Sequence, residues 1–132
     1  MASFNDYTET LVLKWLLTTE SVTRPTAWYV GLFTAAPSDT GGGTEVTGNG
    51  YARKATGTMS VSGTSPTTAT NGSAIEFDAA SGGNWGTIGW AAIFDASTSG
   101  NMIAWAALTA DRTINDGDVF RIPAGSLDVT LT

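Results

Sequence analysis

The densest group of residues able to do chemistry is Asp111, Asn115, Asp116 and Asp118, oxygen donors of the kind that hold a hard cation such as calcium. Their spacing departs from a calcium loop, which needs ligands at alternating positions and a closing bidentate acid. The same residues suit a turn in which Asp and Asn bond their own backbone. Two carboxylate pairs, Glu76 with Asp78 and Glu45 with Asp95, are the candidates for glycoside hydrolysis. That reaction needs a separation of about 5–9 Å, which sequence does not fix, and Glu76 and Asp78 flank Phe77 as a solvent-facing pair would. The chain has no histidine and no cysteine, so Ser-His-Asp and Cys-His nucleophilic centres and sulfur- or histidine-built zinc sites are excluded. No catalytic residue, metal or cofactor is expected, and the chain reads as a non-enzyme.

Glycine-rich runs invite a phosphate-cradle reading. Gly41-Gly42-Gly43 and Gly48-Asn49-Gly50 carry neither a P-loop lysine nor the dinucleotide fingerprint, so they read as a mobile connection and a tight turn. Trp28, Trp85, Trp90 and Trp105, with Tyr29 and Tyr51, are enough aromatic surface for a sugar-stacking platform, but a small β-protein also needs bulky side chains at its centre. Trp90 and Trp105 lie in alternating stretches and read as core, whereas Trp85 and Tyr51, beside glycines, are the candidates for exposure. The net charge of −6, from 12 acidic and 6 basic residues, argues against a nucleic-acid partner, since Arg53-Lys54 is the one adjacent basic pair. No apolar run reaches the ~18–20 residues that span a bilayer, so no membrane partner is expected. The N-terminus lacks the basic region of a secretory signal, which fits synthesis and use in a cytoplasm.

These residues must be positioned by a chain that is helical once and extended thereafter. A helix is predicted from about Ser3 to Thr18, with Ser3 and Asp6, or Asp6 and Glu9, as N-cap and following acid. Phe4, Tyr7, Leu11 and Trp15 form one stripe, and Val12, Leu13, Leu16 and Leu17 widen it. Such a helix either caps the sheet core or docks on a neighbouring subunit. Pro25 closes this region. From Ala27 the pattern turns to period two: Trp28 to Thr34 with both faces apolar, Val46, Tyr51 to Val61, Ala74 to Phe77, Ile88 to Phe94, Met102 to Leu108, Val119 to Ile122 and Leu127 to Leu131. Ile88, Trp90, Ala92 and Phe94 alternate, the 95–101 segment is a hairpin turn, and Gly63 to Thr68 is a polar loop. About eight short strands at this spacing predict an all-β, antiparallel, jelly-roll-like β-sandwich with one N-terminal amphipathic helix. The expected organisation is a single domain over 1–132, with the helix in 1–20 and the sandwich in 27–132.

The order of landmarks resembles a family of small bacteriophage virion proteins, often labelled tail-fibre proteins and in some phages found as capsid decoration or cement proteins. The matching features are the early helix, Leu32-Phe33-Thr34-Ala35-Ala36-Pro37, Glu45-Val46 followed by Gly50-Tyr51-Ala52-Arg53, Ile75-Glu76-Phe77, Asn84-Trp85-Gly86-Thr87-Ile88, Phe94-Asp95-Ala96 and Gly117-Asp118. The resemblance implies a structural virion component made in the host bacterial cytoplasm. Because 132 residues give one compact body of roughly 14 Å radius of gyration rather than a shaft, an outer-capsid decoration or cement protein is expected. Its partners would be the major capsid protein and its own copies, in a homotrimer. The expected contact residues are Phe4, Tyr7 and Leu11, the loop Gly41, Gly42 and Gly43, and Glu45, Tyr51 and Arg53. The alternative is a tail or fibre-tip component that binds a host surface glycan through Trp85 and Tyr51.

Overall fold

The computed structural model describes residues 3–131. Eleven strands and one helix follow in the order β1 (Ser3–Phe4), α1 (Asp6–Leu17), β2 (Tyr29–Ala35), β3 (Thr44–Glu45), β4 (Lys54–Ala55), β5 (Met59–Ser62), β6 (Thr67–Asn71), β7 (Ile75–Glu76), β8 (Gly86–Phe94), β9 (Met102–Ile114), β10 (Arg121–Ile122) and β11 (Asp128–Leu131). The large sheet has the order β1-β9-β8-β2-β3, with β4 also on β2. Separate from it are a three-stranded sheet, β11-β6-β5, and a ribbon of β10 and β7, the ribbon sharing the large sheet's core through Ile75 and Ile122. Every pairing is antiparallel, as expected of an all-β sandwich whose apolar faces alternate.

The main core lies between these layers. Val30 and Leu32 of β2, Ile88 of β8 and Ile114 of β9 meet Ile75 and Ile122 of the ribbon, and Val46, Phe77, Trp85 and Phe120 fill the spaces from loops. On the opposite face of the large sheet a second cluster joins Phe33, Ala92, Phe94 and Met102, with Trp90 and Trp105 packed against it. Strand β2 is therefore apolar on both faces, as its sequence predicts. Strand β8 changes face on the way. Its pairing jumps from Ile88↔Arg112 to Trp90↔Ala107, so Ile88 enters the main core while Trp90, Ala92 and Phe94 join the second cluster. Strict alternation of these four residues is thus broken at Gly89, where a Cβ would stand 3.2 Å from Asp111 Oδ1.

Several boundaries also move. Ser3 and Phe4 are not helical; they pair with Trp105 and Ala104, and α1 begins at Asp6. Neither expected capping box forms. Asn5 holds the N-cap position with no side-chain cap bond; its amide NH2 is turned to the 38–39 segment, donating to Ser38 O at 2.9 Å and Asp39 O at 3.0 Å. The 63–68 segment is a loop only in part, since β6 starts at Thr67 and runs through threonines that show no apolar alternation. Asn71 at its end is buried; its side chain donates to Ser73 O and Pro123 O and accepts from Leu127 N, tying the last strand to the body.

Candidate functional site

Of the signature residues, Glu45 and Arg53 meet on the second face of the large sheet, and Tyr51 reaches them with its hydroxyl from the main core. Strand β2 is paired by β3 at Phe33 and by β4 at Tyr29 and Val30, and the chain between those partners bows away from the sheet. The Tyr51 hydroxyl fills the gap, accepting from Leu32 N at 2.9 Å and donating to Glu45 Oε2 at 2.7 Å. Arg53 grips the same carboxylate through Nε and Nη2, each at 2.8 Å, and its Nη1 donates to Ala96 O and Ser99 O in the β8–β9 turn. Its guanidinium lies 3.4 Å from the centre of the Phe94 ring. The pair is well enclosed, with side-chain exposures of 8% for Arg53 and 22% for Glu45. Burial, aided by the Glu45 carboxylate, holds the Tyr51 phenol well above its ordinary value, against the opposing pull of the Leu32 amide and Arg53. The cluster is a lock that fastens the glycine loop and the hairpin turn to the sheet.

Around this lock lies an open depression of about 550 Å³ that gathers Tyr7, Gly41, Gly42, Gly43, Glu45 and Arg53 along its walls. Sequence reading singled out these residues, and the fold brings them to one place. Phe4 and Leu11, half-buried, are not on that wall, and neither is Tyr51. The aromatic pair chosen for exposure sits elsewhere than expected. Trp85 is only 6% exposed, its indole N–H donating to Asn49 O at 2.9 Å. The Tyr51 ring meets Trp85 edge-on and stacks on Phe77. Both faces are committed to the core because the neighbouring glycines turn the chain inward. Trp90 and Trp105, read as core, are instead half-buried.

The carboxylates have local duties. Asp95 accepts from the Asn101 amide and side chain, Asp118 from Asn115 N, and Asp116 from Gly82 N. Lys54 bridges to Asp78 at 3.0 Å and Arg121 approaches Glu76 at 3.7 Å. Among the described residues no group of three acids, histidines or cysteines is placed to hold a metal ion, and no helix is long and apolar enough to cross a membrane.

The helix presents what sequence reading did not resolve. At 100° per residue, Thr8, Leu11, Val12 and Trp15 share an arc of about 100°, and Leu13, Leu16 and Leu17 occupy the next about 100°. Thr8 is buried, its hydroxyl donating to Ile103 O at 2.7 Å, and Leu11 and Val12 are half-buried. Trp15 should continue that contact but is 68% exposed, and Leu17 is 76% exposed, with Leu13 and Leu16 open as well. The helix overhangs the edge of the sheet. The detectable signal is the run Trp15-Leu16-Leu17, which is too wide an apolar arc for one packing stripe.

A second cavity of about 660 Å³ opens between the layers, where Ala91, Ala104, Ala106 and Leu108 of the large sheet face Ile122 and Leu127. Arg112, Arg121 and Asp128 also line it. No curated protein matches the chain. The family described as podophage GP4 fiber I protein gp80 matches residues 3–130, nearly the whole length, and the chain therefore belongs to this family of phage virion proteins.

Proposed function

We propose that this phage structural protein is a non-enzymatic joining module of the fibre apparatus, attached through surfaces rather than through a ligand site. The observation that carries this reading is the overhanging end of α1, where a tryptophan and three leucines stand in solvent side by side. Its partners are another virion protein and further copies of itself, in a trimer. The buried Trp85 and the half-buried Tyr51, packed edge-on against it, favour a joint over a glycan-reading tip.

A second reading, outer-capsid decoration, is favoured by the compact two-layer body without a shaft or an internal repeat. In that role the protein would cement capsomer joints on the head beside the major capsid protein, adding many weak contacts that internal pressure must break together. Gold-labelled antibody against the protein, with copy number from quantitative mass spectrometry of purified particles, separates the two. Label at the tail with few copies is the expected result. Hundreds of copies over the head would establish decoration instead.

A further inference from the structure

We infer that the overhanging end of α1 enters the alanine-lined cleft of a second copy of this chain, so that subunits join head to tail. The inference rests on reading the protein as a self-associating virion subunit and adds the two surfaces that meet. The exposed Trp15, Leu16, Leu13 and Leu17 span an arc of about 200° that needs covering from more than one side, while the helix's own body covers Tyr7, Thr8, Leu11 and Val12. The cleft offers a matching recess. Its floor is small and apolar at Ala91, Ala104 and Ala106, which leaves room between Leu108, Ile122 and Leu127 for large side chains of another partner.

Charge agrees with this seating. The last carbonyls of α1 form the negative end of the helix dipole, while Lys14 of the last turn and Glu20, 3.7 Å apart, offset one another. The cleft presents Arg112 and Arg121 against the single acid Asp128, and Arg121 is held only by a 3.7 Å approach to Glu76. A buried aromatic side chain removes about 150–250 Å² from water, so Trp15 with three leucines supplies several hundred Å² toward the about 800 Å² per partner of a stable interface. Because the helix end and the cleft are different surfaces, the contact is heterologous. Each subunit uses both, and closure of the chain of contacts into a ring gives a small cyclic oligomer.

The test is light scattering coupled to size exclusion on the full chain, with circular dichroism to verify folding. The helix variant is Leu16→Asp/Leu17→Asp and the cleft variant is Arg112→Glu/Arg121→Glu; all four positions are exposed, so folding is spared. Wild type is expected as one discrete oligomer and each variant as a monomer. Mixing the two variants is expected to give one-to-one dimers, since the intact helix of one can still enter the intact cleft of the other. A monomeric wild type, a cleft variant that assembles like wild type through helix-to-helix contact, or a mixture that stays monomeric would each overturn the inference. Particle labelling is independent of these outcomes, so a failed location and a failed contact are told apart.

Discussion

Replacing Arg53 by methionine keeps an apolar stem over Phe94 and deletes only the guanidinium. What is lost is a bidentate pair with Glu45, two bonds to the β8–β9 turn and a cation held 3.4 Å from a ring centre. Breaking a buried pair from one side costs about 3–5 kcal/mol, because the remaining charge has no partner. Here Glu45 keeps 22% exposure and the Tyr51 hydroxyl, and water can reach the carbonyl of exposed Ser99, so the lower end applies. A loss of about 3 kcal/mol is expected. For a chain between the 100- and 150-residue cases this lowers the unfolding midpoint by roughly 10–15 °C. Urea unfolding and calorimetry on Arg53→Met, Glu45→Gln and the double variant measure it. The double variant should be less damaged than the sum of the singles, since the orphan charge is gone. A loss for Arg53→Met below about 1 kcal/mol, the value of a surface pair, would refute the lock.

Further outcomes follow from the same geometry. Tyr51→Phe leaves Leu32 N–H without its acceptor and should cost about 1–3 kcal/mol at neutral pH. Because the folded phenol is held above its ordinary value of 10.0, the native state keeps a proton that the unfolded chain releases above that pH. Stability from Tyr51 is therefore complete below pH 10 and falls as pH rises beyond it, by about 1.4 kcal/mol per pH unit, and Tyr51→Phe should show a shallower decline in urea titrations. Trp85→Ala should lose about 3–5 kcal/mol by emptying the core, so its thermal midpoint must be measured before any change in glycan binding is interpreted. At Gly31 a Cβ would lie 2.7 Å from Glu45 Oε2, a carboxylate pinned by Arg53, so Gly31→Ala should destabilise by about 1–3 kcal/mol. Gly42→Ala, which meets nothing within 4 Å, should cost only the roughly 1 kcal/mol of its left-handed backbone in the same melts.

Much of the architecture is legible in local pattern. Period-two alternation sets β2 with two apolar faces, and the Asp95–Asn101 turn joins β8 to β9 where glycine and asparagine mark it. Strand β6 was not legible, since a run of threonines is as good a loop as a strand until β5 and β11 pair on either side. The N-cap was misplaced for a similar reason. Asn5 is claimed by Ser38 and Asp39, residues that sequence gives no cause to bring near.

By itself, then, the sequence determined the β-sandwich with its leading helix, the absence of histidine and cysteine chemistry and the landmarks of a phage virion family. These depend on composition and on contacts between near neighbours. Tertiary structure alone decided which aromatics are enclosed, that Glu45, Tyr51 and Arg53 are an internal lock, that α1 runs past the sheet edge, and that a cleft stays open between β8, β9 and β11. Burial and partnership are properties of where distant segments cross, and a residue's own neighbours in the chain do not encode them.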